Sequence, residues 1–264
     1  MKKNLALKLT ESAMMIALAT ILSLIKLAEL PYGGSITIAS MLPILVIAIR
    51  HGVPWGLFTG LVHGTLQLLF GLSNLSYFSD ALSIVAVIAL DYIVAFGLIG
   101  VAGVFRNMKD PKAGFAMGAL TAGVLRYICH VVSGATVWAG LSIPTSAALA
   151  YSFVYNATYM LPETLVLIIA AYFIASSVDF RSQHLSPAKR GEKKVSPFTV
   201  LSIASFAATL IFDIAAVFAK LQNGETGEFD ITGIMQTNWI AVAAVSIIGI
   251  TLGTVLLTLS KKSD

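Results

Sequence analysis

Charged residues and cysteines are both scarce in this sequence. Charged residues make up only 11% of the 264 residues, whereas they make up roughly a quarter of an ordinary soluble domain. The composition therefore argues against a water-soluble globular protein. The lone cysteine, Cys129, excludes an intramolecular disulfide framework and a metal site with several cysteine ligands, and we expect it to be a small buried apolar residue.

The sequence also lacks the short motifs of common catalytic sites. It contains no HExxH zinc motif, no GxSxG nucleophile elbow and no Walker A loop. We therefore predict that the chain is not an enzyme and carries no catalytic residue, metal or cofactor of its own. If its activity consumes ATP, another chain must supply the ATPase.

Apolar residues dominate what is present, since 57% of the chain is hydrophobic. They gather into runs close to the roughly 20-residue length that lets an α-helix cross a hydrocarbon core of about 30 Å. This pattern predicts an all-α, polytopic transmembrane helical bundle. Eight runs are present, at approximately 9–29, 36–49, 53–71, 82–105, 114–136, 147–177, 197–219 and 238–260.

The placement of basic residues predicts the orientation of the chain. Most Lys and Arg residues lie in alternate loops, within residues 2–8, 50, 106–112, 181–194 and 261–262. By the positive-inside rule, both termini of this multi-pass cell-membrane protein are cytoplasmic. The same segregation argues against a nucleic-acid partner, although the net charge is +4.

One long polar segment, rich in charged residues, Pro and Gly, divides the chain. It predicts three parts: a six-helix core at 1–180, a cytoplasmic linker at 181–196 and a two-helix transmembrane extension at 197–264. Elsewhere, small residues recur at every fourth position, at 52–64 and at Ala13 with Ala17, and they make flat helix faces that permit close packing. Either packing within the chain or docking of another membrane protein would use such a face.

Polar side chains inside the apolar runs are few, because an ionised group in mid-bilayer costs about 2.5–3.5 kcal/mol. The topology derived from the basic residues places several of them in the outer half of the membrane: Asp91, His130, Trp138, Tyr151 and Asn156. A carboxylate, an imidazole, an amide and aromatic rings around one cavity would suit a flat, cationic, hydrogen-bonding organic ligand. Each cation–π contact there would contribute about 0.5–2 kcal/mol.

Structural roles also explain some of these residues. Asp91 and Arg126 fall at similar depth and can neutralise each other, and Arg126 with Glu163 is an alternative pair. Single aromatic residues near the ends of spans are typical of membrane-interface belts, which applies to Trp138, Tyr151 and Tyr77.

Five segments together resemble one known family. They are LPYGGSITIASMLPI (30–44), GLFTGLVHGTLQLLFG (56–71), ALDYIVAFGLIGVAGVFR (89–106), RYICHVVSG (126–134) and AYSFVYNATYMLPE (150–163). Over about residues 5–178 they are similar to the thiamine-specific substrate-binding component of energy-coupling factor transporters. The resemblance implies a six-helix fold in the lipid bilayer that binds thiamine from outside. It also implies docking on a module of one transmembrane coupling protein and two ATPases.

The resemblance implies roles for individual residues as well. The family's substrate-binding positions fall on Asp91, Tyr92, His130, Trp138, Tyr151 and Asn156, with Tyr77 as a further one. A loop that contains Tyr32, Gly33 and Gly34 would close over the ligand, and Ala13 with Ala17 matches the family's docking motif.

Within the implied site, each residue has an expected contact. Asp91 and His130 are expected to hydrogen-bond the aminopyrimidine of thiamine. Trp138 and Tyr151 would pack on the two rings and favour the thiazolium charge, and Asn156 would fix the orientation.

Two features depart from the family pattern. A family member has glutamate where this chain has Asp91, and tryptophans near the positions of Gly34 and His63, so the lid and the pocket floor are expected to differ. Residues 197–260 add two spans in which Asp213 is the only ionisable residue at depth. Packing on the core, contact with a partner and simple anchoring are all open roles for them.

Three alternative functions remain. The first is a related subunit for another vitamin or a thiamine precursor, because this fold is shared while its pockets vary. The second is an intramembrane enzyme that uses Asp91, His130 and Glu163 as acid and base groups. The third, a solitary channel or facilitator, is disfavoured because no span carries a regular polar stripe.

Overall fold

The computed structural model describes residues 2–30, 33–139, 141, 148–182, 186–187, 196–221 and 231–263. The chain forms two compact units, Met1–Ala188 and Lys189–Asp264. Their boundary falls inside the polar segment at 181–196. The first unit thus contains the residues predicted as the core, and the second contains those predicted as the extension.

The described part of the chain is mostly helical. Its α-helices are α1 Lys2–Leu24, α2 Leu42–His51, α3 Val53–Phe70, α4 Ala81–Val87, α5 Ala95–Gly97, α6 Pro111–Thr136, α7 Ala148–Ser177, α8 Pro197–Leu221 and α9 Trp239–Ser263. Within the described residues, six helices are long and apolar enough to cross a membrane: Leu5–Leu24, Ala81–Asn107, Pro111–Thr136, Ala148–Ser177, Pro197–Val217 and Trp239–Ser260. The prediction of an all-α polytopic membrane bundle is confirmed.

The span Ala81–Asn107 is a composite helix. α4 passes into a π-helical turn at Ile88–Val94, then into α5 and a 3-10 helix at Leu98–Asn107. The Asp80 side chain caps α4 by accepting a hydrogen bond from the Ser83 N–H (2.8 Å). That bond holds the pKa of the exposed Asp80 carboxyl below its usual value.

The first two apolar runs are wrong at their boundaries. Helix α1 ends at Leu24, and Lys26–Glu29 forms strand β1, which pairs antiparallel with β2 at Ser35–Thr37. Helix α2 begins only at Leu42 and is 10 residues long. The signals for this hairpin are the charged Lys26 and Glu29 and the glycines Gly33 and Gly34, which a count of apolar residues passes over.

The core of the first unit is built around α2, which is buried on every side. Ile44, Leu45 and Ile47 have no exposed surface, as expected for a helix that is apolar all round. The glycines of α3 allow the composite helix to come very close. A Cβ on Gly60 would lie 2.5 Å from the Phe96 carbonyl oxygen, and one on Gly64 would lie 2.7 Å from the Tyr92 carbonyl oxygen. The glycine stripe of α3 is therefore used for packing within the chain.

A cluster of polar contacts fastens α1 to the core. Glu11 accepts hydrogen bonds from Arg50 Nε (2.7 Å) and Nη2 (2.8 Å), and its carboxylate lies 2.7 Å from His51 Nε2. Arg50 also donates to the carbonyl oxygens of Phe180 (2.9 Å) and Ser182 (2.8 Å). This cluster links α1, the end of α2 and the segment after α7 at one end of the unit.

Helices α8 and α9 pair within the second unit. Ser202 and Ser205 donate to the carbonyl oxygens of Gly253 (2.7 Å) and Gly249 (2.9 Å). Asp213 accepts a hydrogen bond from Ser246 (2.7 Å) through Oδ2, and its Oδ1 is buried with no partner among the described residues. The carboxylate predicted at depth is thus used in joining these two helices.

Candidate functional site

Asp91 lies at the centre of a polar cluster in the first unit. Its Oδ1 lies 2.9 Å from His130 Nδ1, and its Oδ2 accepts hydrogen bonds from Ser133 Oγ (2.7 Å) and Trp138 Nε1 (3.1 Å). The π-helical turn that carries Asp91 is a rare geometry that occurs frequently at functional sites. The carboxylate is only 15% exposed, so these contacts hold it in one orientation.

Helix α6 supplies two of the groups that contact Asp91. His130 and Ser133 are three residues apart and share a helix face, and Trp138 follows two residues after the helix ends at Thr136. Because an ionised carboxylate can only accept, we assign the hydrogen to His130 Nδ1. In the neutral tautomer, His130 Nε2 is then an acceptor, and it is buried without a partner among the described residues.

Aromatic rings surround Trp138. Its ring centroid is 4.8 Å from that of Phe78 in an edge-on arrangement and 5.9 Å from that of Tyr77. Tyr77 is 49% exposed and supports Trp138 from outside. Edge-on aromatic pairs add about 0.5–1.5 kcal/mol to the burial of their surfaces, so these contacts help to fix the indole.

Asn156 connects α7 to α6. Its Nδ2 donates to the carbonyl oxygens of Ser152 (2.8 Å) and His130 (3.2 Å), and its Oδ1 accepts from Tyr159 Oη (2.5 Å). Tyr159 is buried and its ring faces His130 at 6.2 Å. The backbone of the histidine that contacts Asp91 is therefore held from α7.

Tyr92 is held by the segment after α3. Asn74 Nδ2 donates to Tyr92 Oη (3.1 Å), and Tyr92 Oη donates to the carbonyl of Gly71 (3.3 Å). A Cβ on Gly71 would lie only 2.1 Å from Tyr92 Oη. Glycine is thus needed at 71 for the phenol to reach this position.

Two adjoining cavities lie beside this cluster. The first, of about 160 Å³, is lined by Gly33, Gly34, Ser35, Gln67, Asn74, Val87, Asp91, Tyr92, Phe96, Arg126, His130, Gly134, Trp138, Tyr155, Asn156 and Tyr159. The second, of about 470 Å³, shares part of that lining and extends to Lys26, Glu29 and Glu163. Among the described residues, the first therefore combines one carboxylate, one imidazole, one guanidinium, three amides and several aromatic rings.

The structure brings most of the residues predicted for substrate binding to the first cavity, but not all. Asp91, Tyr92, His130, Trp138 and Asn156 line it. Tyr151 is buried, but neither it nor Tyr77 is among the described residues that line this cavity. Tyr151 lies on α7 at the turn before Tyr155, and Tyr77 lies beside Trp138.

The loop predicted as a lid is partly described. Gly33 and Gly34 line the first cavity, whereas Tyr32 lies outside the described residues. Gly33 has φ +102°, a conformation that glycine adopts without strain. A Cβ on Gly34 would lie 2.9 Å from the Tyr159 ring, so the loop rests directly on α7.

Sequence reasoning missed several lining residues and one hydrogen-bond donor. Tyr155, Tyr159, Gln67, Asn74 and Phe96 line the first cavity, and Ser133 contacts Asp91. A usable signal existed for two of them, since Tyr155 and Tyr159 lie about one and two helical turns beyond Tyr151 on α7. Gln67 and Phe96 gave no such signal, because their neighbours in the cavity belong to other helices and are far away in sequence.

Arg126 forms neither of the two ion pairs considered from the sequence. Within the described residues, no ion pair joins it to Asp91 or Glu163. Its guanidinium lies 4.4 Å from the centroid of the Phe96 ring, and Nη1 contacts Met41 Sδ at 2.7 Å. The His63 ring lies 5.3 Å from the same Phe96 ring in an edge-on arrangement, and His63 is absent from the cavity lining described above.

The predicted docking residues lie on an exposed face of α1. Ala13 and Ala17 are both exposed, beside Met14 (67% exposed) and Leu18 (45%). Among the described residues, no group of three or more His, Cys, Asp and Glu side chains is placed to hold a metal ion.

Comparisons with known proteins place the first unit in a family. The sequence pattern of the thiamine transporter protein family matches residues 9–180. The thiamine transporter ThiT of Bacillus subtilis (strain 168) is 35% identical over 174 residues, which are 61% of this chain and 86% of that protein. The thiamine transporter ThiT of Lacticaseibacillus paracasei is 27% identical over 152 residues, 53% of this chain and 70% of that protein.

A solved structure has the same fold. The structure of ThiT from Listeria monocytogenes matches with a TM-score of 0.53 at 29% sequence identity, covering 65% of this chain and 94% of that chain. The family consists of transporters, which confirms the prediction that this chain is not an enzyme. Because residues 9–180 of 264 fit the family pattern, the chain is a membrane protein that belongs to the thiamine transporter protein family.

Proposed function

We propose that the protein binds thiamine from the extracellular side in the cavity around Asp91. It then delivers the vitamin into the cell together with an ATP-driven module of one transmembrane coupling protein and two ATPases. Thiamine is the transported ligand, and the chain uses no cofactor of its own. The relatives named as thiamine transporters support this choice of ligand.

The observation that carries the proposal is the oriented Asp91 carboxylate in an aromatic cavity. Hydrogen-bond donors from His130, Ser133 and Trp138 hold it, and ring faces surround the same space. Thiamine combines an aminopyrimidine, which donates and accepts hydrogen bonds, with a cationic thiazolium. A carboxylate would accept from the amino group or face the cation, and aromatic rings would attract the thiazolium.

His130 offers a second specific contact. In the neutral tautomer with Nδ1–H turned to Asp91, its Nε2 is an acceptor that has no partner among the described residues. An unpaired buried acceptor costs about 1–3 kcal/mol, and a donor on the ligand would remove that cost. We therefore assign the aminopyrimidine to the side of the cavity where Asp91 and His130 lie.

Contacts between basic residues support the proposed orientation. Arg106 Nη2 lies 3.5 Å from the Arg50 carbonyl oxygen, and Arg181 Nη2 donates to the Met108 carbonyl. Three basic loops that are separated in sequence thus meet at one end of the unit. The positive-inside rule assigns that end, and with it both termini, to the cytoplasm, which leaves the Asp91 cavity toward the outside.

The test is a thiamine titration of purified protein in detergent, followed by tryptophan fluorescence. Asp91→Asn keeps the shape of the side chain and removes its charge. We expect at least about a 10-fold loss of thiamine affinity, because hydrogen bonds to charged groups contribute about 1.5–3 kcal/mol. The matched control is Asp110→Asn, at an exposed carboxylate that caps the other end of α6, and it should bind as the wild type does.

Two outcomes would reject parts of the proposal. A folded wild type that binds another vitamin or a thiamine precursor more tightly than thiamine would reject the ligand. Uptake of labelled thiamine into vesicles that is the same with and without the ATP-driven module would reject the coupling.

A further inference from the structure

The segment 33–41 forms a wall of both cavities. Gly33, Gly34 and Ser35 line the first cavity, and Thr37 and Ser40 line the second. This segment runs from the β1–β2 hairpin into the start of α2. Whatever fixes its position therefore fixes one side of the space that a ligand would occupy.

One carboxylate from α7 holds this segment. Glu163 Oε2 accepts a hydrogen bond from the Thr37 backbone N–H (2.6 Å), and Oε1 accepts one from Thr37 Oγ1 (2.7 Å). Ser40 Oγ lies 3.5 Å from the same Oε1, and the Ser40 N–H donates to Thr37 Oγ1 (3.3 Å). Glu163, Thr37 and Ser40 are each at most 5% exposed.

This contact fixes the backbone as well as the side chain. Because one of the two short bonds comes from the Thr37 N–H, the carboxylate determines where the main chain of the segment runs. Both carboxyl oxygens of Glu163 are used in these short bonds, so the contact has two points of attachment. Without Glu163, the buried Thr37 N–H would have no acceptor, which is costly. The segment would have to move for this N–H to find another hydrogen-bond partner.

A second contact on the same face of α7 makes the attachment specific. Gly34 packs on the Tyr159 ring, and Tyr159 lies four residues before Glu163, so the two side chains share one helix face. Arg126 and Glu163 form no ion pair within the described residues, so the direct contacts of the carboxylate are those with Thr37 and Ser40.

We propose that Glu163 is a positioning residue: it fastens segment 33–41 to α7 and thereby sets how fast a bound ligand leaves the cavity. The identity of that ligand, thiamine, rests on the proposed function. The attachment itself does not, since it is formed entirely by residues of this chain.

The first test compares thiamine dissociation rates of the wild type, Glu163→Leu, Glu163→Gln and Thr37→Val. We expect Glu163→Leu to raise the dissociation rate at least about 10-fold, because it removes two short buried hydrogen bonds. Glu163→Gln keeps one acceptor oxygen and should fall between Glu163→Leu and the wild type. The matched control is Thr158→Val, since the Thr158 hydroxyl bonds within α7 to the Tyr155 carbonyl, and it should leave the rate unchanged.

Coupling between the two partners distinguishes positioning from a general loss of stability. The double variant Thr37→Val with Glu163→Leu should dissociate no faster than Glu163→Leu alone, because both changes remove the same contact. Fully multiplied rates in the double variant would overturn the proposal. An unchanged dissociation rate in folded Glu163→Gln and in folded Thr37→Val would overturn the proposal as well. These two variants also provide the test if Glu163→Leu does not fold.

A second test needs no ligand. Hydrogen exchange of the amides at 35–41 should be faster in Glu163→Leu or Glu163→Gln than in the wild type, while exchange in α6 stays the same. Unchanged exchange at 35–41 would overturn the attachment. A wild type that fails to bind thiamine would reject the proposed function alone, and the exchange result would still decide the role of Glu163.

Discussion

The indole of Trp138 has two separable roles, which a pair of substitutions resolves. Trp138→Phe keeps a ring beside Phe78 and removes the Nε1–H that donates to Asp91 (3.1 Å). Trp138→Leu removes both the donor and the ring face. We expect thiamine affinity to fall in both variants, and to fall further in Trp138→Leu.

The size of each loss follows from the bonds removed. A hydrogen bond to a charged group contributes about 1.5–3 kcal/mol, whereas polar contacts between membrane helices average about 0.6 kcal/mol. Trp138 is 8% exposed and Asp91 is partly buried, so we take an intermediate value of about 1–2 kcal/mol for Trp138→Phe, or roughly 5- to 30-fold. The lost cation–π contact adds about 0.5–2 kcal/mol in Trp138→Leu.

Calorimetric titration with thiamine is the appropriate assay, because fluorescence changes when Trp138 is removed. Melting curves must show that both variants are folded. Affinity within about twofold of the wild type in Trp138→Phe would refute the role of the Nε1–H, since a twofold change is only about 0.4 kcal/mol. Equal losses in Trp138→Phe and Trp138→Leu would refute the stacking role of the ring.

Three further predictions concern stability. Glu11→Ala should lower the melting temperature by several degrees, because it removes the hydrogen bonds to Arg50 that fasten α1 to the core. Thiamine affinity should stay within about twofold of the wild type, because this cluster lies away from the Asp91 cavity. A loss of affinity that accompanies the loss of stability would contradict the prediction. Gly100→Ala should destabilise the protein by about 1–3 kcal/mol, and by more than Gly97→Ala does. The Cβ added at 100 would meet the Leu57 backbone nitrogen at 2.1 Å, whereas the Cβ added at 97 would meet the flexible Leu61 side chain at 3.0 Å. Equal melting temperatures of the two variants would contradict this prediction. The pKa of the Asp80 carboxyl that caps α4 is lowered from its usual 3.8, so the contribution of the cap to stability is present above pH 3.8 and is lost as the pH falls through the lowered pKa. Melting curves of the wild type should therefore approach those of Asp80→Ala in acid. A constant difference between the two would argue against the cap.

The sequence by itself determined the class of the protein and the approximate depth of its polar residues. Burial of long apolar runs in lipid depends on composition and length, which are one-dimensional properties. The cost of a charge in the membrane required Asp91, His130 and Glu163 to have partners, and the basic loops set their depth. The convergence of Asp91, His130 and Trp138 on one site was therefore predictable.

Only the tertiary structure decided which partner each of these residues has. Hydropathy fixes neither the rotation of a helix about its axis nor its neighbours, so it did not show that Tyr155 and Tyr159 line the first cavity while Tyr151, on the same helix, is absent from its lining. Arg126 was a plausible partner for two carboxylates, yet Asp91 is held by donors from α6 and Trp138, and Glu163 by Thr37. The π-helical turn and the β1–β2 hairpin arise from local backbone geometry that apolar sequence leaves undetermined, because several geometries can bury the same side chains.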